Sequence, residues 1–394
     1  QGPEVGECLQ GLGRRGLSGR NQDPEKEGTL VLKFLHAADF HLDSAFAGLR
    51  PEQAAARRRE SRESCRRFAD YAARSGAQLV LLSGDLFDSA RAFRETGEIL
   101  RAALAEIPAP VLIAPGNHDW YGPDSPYAEC DWPENVHIFK TGWPEAVKLP
   151  GQNVTVWGAA FTGPEQPQSL LRDVHAPQDG RVHVMVLHGE AAVAAGCYNP
   201  LSREEIETAG FAYLALGHIH KPGQMRCGGT LCAWPGCLEG HGFDEQGDRG
   251  FYEGAIGEGG AVEIRWVPFA RRRYEALEVD VTDTAPEQAL RAALPEGTGE
   301  DLYRITLTGE TDACGIDLAA LQERFAPCFY ALELRDETRV RPDVWARAQE
   351  DSLRGLFLRE LRQELEQAQT PEERDEIQRA VRMGLAALDH RDRI

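Results

Sequence analysis

Seven short apolar runs punctuate the first part of the chain: TLVLKFLHA, AQLVLLSG, APVLIAPG, VTVWGAAF, RVHVMVLHG, FAYLALGH and GTLCAW. Each is strand-sized and rich in β-branched or aromatic residues, and such continuous runs suit strands covered on both faces. Between the first two, residues 51–76 predict a long helix with Phe68 and Tyr71 facing inward, and roughly 91–106 predict another. Strands alternating with helices predict an α/β arrangement. The segment GFYEGAIGEGGAVEIRWVPF predicts a hairpin turning at GEGG.

Near residue 274 the pattern changes. YEALEVDVT, DLYRITLTG and FYALELRDE read as strands separated by helical stretches at 286–294 and 316–326, which predicts a small α+β domain. From 342 the chain reads as charged helix. Leu353, Phe357, Leu361 and Leu365 form one apolar stripe, TPEE at 370–373 is a capping box, and Ile377, Val381, Leu385 and Leu388 follow. These two helices either pack on their own domain or dock a partner's helices. The expected divisions are 1–28, 29–273, 274–341 and 342–394. The first, rich in Gly and Arg and without the apolar core of a signal peptide, reads as a flexible leader or an appended remnant.

At 394 residues the chain suggests two or three domains, and 42% hydrophobic content supports real cores. No apolar stretch approaches the roughly 18 residues of a membrane span. Nine cysteines show no CxxC spacing, and Cys227, Cys232 and Cys237 read as buried thiols in preference to a metal cluster. Reduced thiols with no export signal predict a cytoplasmic location. The net charge of −20, with roughly −12 falling after residue 274, argues against indiscriminate nucleic-acid binding through a basic surface. Two basic clusters stand out, RRRESRESCRR at 57–67 and RRR at 271–273. The first reads most simply as a solvated helix face, with a phosphate-tracking patch as the alternative.

Five of the apolar runs end in ligand-type residues: Asp39 and His41; Asp85 and Asp88; Asn117, His118 and Asp119; His188; His218 and His220. In open α/β sheets, sites lie at the carboxyl ends of strands, so these ends should converge on one rim. In extended backbone, residues i and i+2 point the same way, which would let Asp39 and His41, and likewise His218 and His220, reach one point. Oxygen and imidazole ligands without thiolate suit manganese, iron or zinc better than calcium. Asp39, His41, Asp85, Asn117, His188, His218 and His220 are too many for one ion. Two ions roughly 3.5–4 Å apart, sharing a bridging carboxylate, clamp an in-line displacement at phosphorus. His118 beside Asp119 is suited to act as general acid or to stabilise the departing oxygen. Each dyad alone could be turn or capping chemistry; as an ordered set they point to a metal centre. His36, His137, His175, His183 and His390 read as structural or solvated, and Trp120 and Tyr121 as packing in preference to base stacking.

D-x-H, GD-x-x-D, GNH-D, H and GH-x-H, in that order from residue 33 to about 222, resemble the calcineurin-like metallophosphoesterases. ADFHLDSAF, GDLFD, GHIHKP and WPGCLEGHGFDEQGDRG resemble, more narrowly, the bacterial DNA-repair exonuclease branch of the SbcD and YhaO type. The resemblance implies a two-sheet α/β sandwich with helices outside, followed by a capping domain. It implies Asp39, His41 and His220 on one metal, Asn117, His188 and His218 on the other, and Asp85 bridging. His118 would act on the leaving group, with Asp119 orienting it. The implied cofactors are two divalent ions, Mn2+ by preference, and the implied activity is exonuclease or endonuclease hydrolysis of DNA phosphodiesters. The implied partner is an SbcC-like coiled-coil ATPase, docked through the C-terminal helices; homodimerisation is a further expectation. Two other readings are a phosphoesterase for small nucleotides or other metabolites, and a non-catalytic scaffold for the ATPase. One departure is His241 in EGHGFDE, where similar sequences lead one to expect Arg.

Overall fold

The computed structural model describes residues 30–311 and 316–388; the stretch 1–28 and His390 lie outside the described residues. Two six-stranded sheets form the larger part of the fold. In the first, the order is Val262–Pro268, Gly250–Gly257, Leu30–Ala37, Leu79–Leu82, Val111–Ile113 and Val136–Ile138, the last four parallel. In the second it is Gly223–Cys227, Thr230–Trp234, Tyr213–Gly217, Val182–His188, Val154–Gly158 and Glu145–Lys148, with antiparallel strands only at the two edges.

Successive side chains of a strand face opposite ways, and here both faces are covered. Phe34, Leu79, Val156, Val184 and Tyr213 meet in the core between the sheets. Leu35, Val80 and Ile113 face outward against Phe68 of the helix Pro51–Ser75 and Leu100 of the helix Arg94–Ala105. The helix Arg203–Ala209 contributes Ile206 to a third core on the far side of the second sheet, where Cys227 and Cys232 lie as free thiols. The result is a helix–sheet–sheet–helix sandwich. All seven apolar runs lie in these strands, and the hairpin at 250–268 turns through residues 258–260. The edge strands 136–138, 145–148 and 223–227 carry no clear sequence mark, because they are short and largely half-exposed or exposed.

The two sheets touch where their central strands end. A Cβ on Gly217 would lie 2.1 Å from the carbonyl oxygen of Ser83, so only glycine lets the two strand ends approach this closely.

Part of each basic cluster turns inward, which corrects the solvated-face reading for Arg57, while Arg59 and Arg66 on the same helix stay exposed as that reading expects. Arg57 is fully buried and pairs with Glu60 and Glu239 while donating to the Gly240 carbonyl. Arg272 binds Glu60 and Glu300, Arg273 binds Asp301, and Arg67 reaches Glu239. A charge taken out of water persists only when paired, which is why these arginines converge on acids from distant segments.

Beyond residue 273, Tyr274–Asp280, Leu302–Thr308 and Ala331–Asp336 form a three-stranded parallel sheet, with helices Pro286–Ala293 and Leu318–Phe325 between successive strands. Helices Leu353–Gln367 and Pro371–Leu388 then pack on the segment before them, burying Leu358, Val381 and Leu385 with Val340 and Val344. Arg382 ties the second of these helices to Asp336 and Thr338. Leu353, Leu356 and Met383 stay exposed, so the buried stripe is centred on Leu358 and not on Leu353. Among the described residues no helix is long and apolar enough to cross a membrane.

Gly217→Ala should cost about 1–3 kcal/mol, because the clashing atom is backbone and cannot swing aside; urea denaturation reads the difference, and an unchanged midpoint would refute the close packing. Arg57→Ala should cost about 3–5 kcal/mol by removing a fully buried cation from between Glu60 and Glu239 and leaving Glu239 with the half-exposed Arg67, and the same titration should show it as the larger of the two losses.

Candidate metal centre

The carboxyl ends of both sheets open on one rim. The first strand stops at Ala37, and the loop beyond it runs alongside the loop after Leu82: the amides of Asp39 and His41 donate to the carbonyls of Gly84 and Asp85 at 3.0 Å each. This pairing, and not an extended pleat, delivers the first two side chains. Asp39 and His41 have φ of 53° and 42°, and Asp85 and His218 have 50° and 87°. The extended i, i+2 geometry expected for Asp39 and His41, and for His218 and His220, is therefore not the backbone that presents them. Non-glycine residues in this left-handed region cost on the order of 1–3 kcal/mol and cluster at functional sites.

The seven residues expected as ligands gather into two groups. Ligand atoms of Asp39, His41 and His220 lie within 4.8 Å of one another, as do those of Asp85, His188 and His218. Asn117 Oδ1 joins the second group, 2.9 Å from His188 Nε2 and 3.2 Å from His218 Nδ1. Asp85 stands between the groups, its Oδ2 3.2 Å from His188 Nε2 and 3.9 Å from His41 Nε2.

Every imidazole has its outer nitrogen engaged. His41 Nδ1 meets Asp88 Oδ1 at 3.0 Å, His220 Nδ1 meets Glu245, His188 Nδ1 donates to the Ser83 carbonyl at 2.8 Å, and His218 Nε2 lies 3.3 Å from Glu190 Oε1. An acceptor behind each ring fixes its orientation and turns the other nitrogen inward. His41 Nε2 and His220 Nε2 accordingly face each other at 3.1 Å. One oxygen of Asp39 accepts from the His218 amide at 3.0 Å, while the other, Oδ2, is buried without a partner. A buried carboxyl oxygen beside inward-facing imidazole nitrogens is a donor set that fits divalent cations.

The electrostatics agree. Burial alone would lower His41, but Asp88, Asp85 and Asp39 hold it up at about 9. Burial would likewise lower His188, which Asp85 and then Asp39 keep at about 9. Burial pushes Asp39 up, whereas Asp85 is held low against its own burial by His188 and His41. His218 is pushed down to about 4 by burial and by His188.

His118 is exposed at the mouth. Its amide donates to Asp85 Oδ1 at 2.8 Å, its ring lies 4.8 Å from the ring of His41, and its Nδ1 is 3.4 Å from the Asp88 carbonyl. Asp119 does not orient it. The Asp119 carboxylate is fully buried and accepts from the amides of Asp85, Leu86, Phe87 and Gly116 and from the Tyr127 hydroxyl. A carboxylate offers about four lone-pair sites, so five donors leave none for His118. Its work is to clamp the Asp85 loop to the Asn117 loop. Three supporting residues were not singled out as site residues from sequence: Asp88, Glu245 and Glu190. Asp88 was visible in GDLFD; Glu245 and Glu190 carry no local signal, being 25 and 28 residues from the histidines they support.

His36 is structural, hydrogen-bonded to Tyr213 and Ser83 and pushed down to about 3 by burial. His183 is held by Trp157 and Asp179, and His175 by the Thr208 carbonyl. His241 lies in the loop beside the first group, its amide and Nδ1 both on Glu245.

The sequence profile of the calcineurin-like phosphoesterase family matches residues 32–222. The uncharacterised metallophosphoesterase YhaO of Bacillus subtilis is 32% identical over 273 residues, covering 66% of this chain and 65% of that protein. The DNA double-strand break repair protein Mre11 of Aeropyrum pernix is 27% identical over 270 residues, 64% of each chain. The chain thus spans less than two thirds of either relative. A dimetal phosphatase from Danio rerio aligns in three dimensions with a TM-score of 0.38 at 13% identity, covering 60% of this chain and 98% of that one.

With no metal added, His41 and His188 hold protons below about pH 9, and an ion must displace them to use their lone pairs. Divalent-metal affinity should therefore rise with pH between 6.5 and 8.5, by up to about tenfold per unit for each proton displaced. Titration calorimetry of chelator-stripped protein, in buffers of different ionisation heat, measures the protons released. An affinity independent of pH would contradict the assignment.

Proposed function

We propose, from the premise that this chain belongs to the calcineurin-like metallophosphoesterase superfamily through residues 32–222, that it is a Mn2+-dependent nuclease hydrolysing DNA phosphodiesters. The observation that carries the hydrolase reading is the exposed His118, anchored through its amide to the carboxylate that stands between two inward-facing ligand groups. Asp39, His41 and His220 would hold one ion, Asn117, His188 and His218 the other, with Asp85 shared. When bound, such ions supply Lewis-acid polarisation of a phosphoryl oxygen and make a water acidic enough to attack near neutral pH. The chain's own residues then do three things. Asp119 keeps the Asp85 and Asn117 loops in register, the acceptors behind the imidazoles keep the ligands aimed, and His118 stands at the open side to protonate the departing oxygen.

Likeness to an Mre11 protein supports DNA as the substrate. The exposed Leu353, Leu356 and Met383 support docking of an SbcC-like coiled-coil ATPase on the C-terminal helices. Homodimerisation and a cytoplasmic location belong to the same reading. A second reading is favoured by one observation. Arg57, Arg67, Arg272 and Arg273 pair with acids of the same chain, which leaves fewer cations of the two basic clusters to track a backbone. A smaller phosphodiester would need no such track.

Purified protein with Mn2+ should degrade linear duplex, closed-circular duplex or single-stranded DNA. His118→Ala should keep its metal and lose on the order of 10²–10⁴ in turnover. Asp85→Ala should lose both metal, by mass spectrometry, and activity. DNA left intact while bis(4-nitrophenyl) phosphate is hydrolysed would transfer the assignment to the second reading.

A further inference from the structure

The two ligand groups are not equivalent. The first contains a carboxylate of its own, Asp39, with a buried oxygen left free of partners. Both of its imidazoles are backed by carboxylates, His41 by Asp88 and His220 by Glu245. The second has the neutral amide of Asn117 where the first has Asp39. Its buried imidazole, His188, is backed by a carbonyl, that of Ser83. Only His218 faces a carboxylate there, and Glu190 is part-exposed at a looser 3.3 Å. Asp85 is common to both and does not discriminate.

Glu245 is the more elaborately held of the two backing groups. Its Oε1 takes His220, while its Oε2 accepts from the His241 amide at 2.6 Å, from His241 Nδ1 at 3.2 Å and from Cys237 Sγ at 3.5 Å. Burial pushes the Cys237 thiol well up, so it remains a neutral donor and not a competing thiolate ligand. An anion this firmly oriented behind an imidazole increases the ring's donor strength, and loss of such a partner weakens metal affinity by roughly 10–100-fold. Two anions behind one subsite should therefore separate it from its neighbour.

We propose that the Asp39–His41–His220 subsite binds its divalent ion at least about tenfold more tightly than the Asn117–His188–His218 subsite, and that Glu245 and Asp88 are positioning residues that make it so. The centre then loads in order. At limiting metal only the first subsite is filled, and full loading depends on free metal or on a phosphoryl oxygen that adds charge to the second. This rests on the metal centre of the proposed function but not on DNA as the substrate.

The test is a titration of the chelator-stripped full chain with Mn2+, following the electron paramagnetic resonance signal of free ion, with no substrate present. The wild type should show two classes of site. Asp88→Asn keeps an acceptor for His41 and removes the charge, while Glu245→Gln also turns one of two accepting oxygens into a donor; each should weaken the tight class by roughly 10–100-fold while leaving the weak class in place. Glu190→Gln should move only the weak class. Thermal melting of the metal-free variants checks folding, and Asp88, being part-exposed, supplies a usable variant if Glu245→Gln is unstable. Two equal classes in the wild type, or a tight class unmoved by both substitutions, would overturn the inference and leave the proposed centre standing. No bound Mn2+ at all would overturn both.

Discussion

The close approach of the two sheets at their carboxyl edges is the constraint on which the rest depends. Gly217 has no Cβ, so the Ser83 carbonyl can sit where that atom would be, and His188 Nδ1 donates to the same carbonyl at 2.8 Å. That single oxygen joins the end of a first-sheet strand to two second-sheet strands. Without it, Asp39, His41, Asp85 and Asn117 would belong to one rim, and His188, His218 and His220 to another. Two half-sets of donor residues become one cluster because two main chains nearly touch. The phenylalanines and valines of the inter-sheet core supply the driving force, since burying apolar area yields about 25 cal/mol per Å². Hydrophobic burial has no direction, however. The glycine and the carbonyl set how close the edges come.

Buried charge is the second organising element. The helix Pro51–Ser75 is pinned through Arg57 and Glu60 to Glu239 on one side and to Arg272 on the other, and Arg272 continues to Glu300 in the small parallel-sheet unit. Glu239 opens the loop that carries His241 and Glu245, the latter behind His220. A chain of ion pairs thus runs from the small unit, past the helix, to Glu239, and the backbone of residues 239–241 carries it on to the hydrogen bonds of His241, Glu245 and the candidate ligand His220. Ion pairs of this kind add little net stability over apolar packing. Their consequence is geometric, since each carboxylate and guanidinium accepts few alternative positions without leaving a charge uncompensated.

Much of the candidate site was legible before the fold was known, because ligand chemistry is local. DFH, GDLFD, GNHD and GHIH each place several donors within a few residues of a strand's end, and the fold rule for open sheets says where strand ends go. Asp119 was legible as a partner of His118 only by adjacency, and adjacency misled: its side chain points into the protein, where four amides and a tyrosine claim it. Arg57, in the run 57–67, misled in the same way, while Arg59 and Arg66 are exposed as such a run suggests. A run of charges on a helix usually faces water, and nothing in the run tells of acids at 239 or partners beyond 270.

What the sequence determined by itself, then, was the strand inventory, the alternation of strand and helix, and the identity and order of the donor residues, since each depends on side-chain type and short spacing. The tertiary structure alone decided which donors share a group, which acceptor lies behind each imidazole, and which arginines are buried. Those are contacts between segments up to 212 residues apart, as Glu60 and Arg272 are. They depend on where two sheets and a helix come to rest, which short spacing does not encode. Even the backbone that presents Asp39 and His41 is of this kind. Their left-handed φ values are tolerated because the neighbouring loop, folded against them, takes their amides.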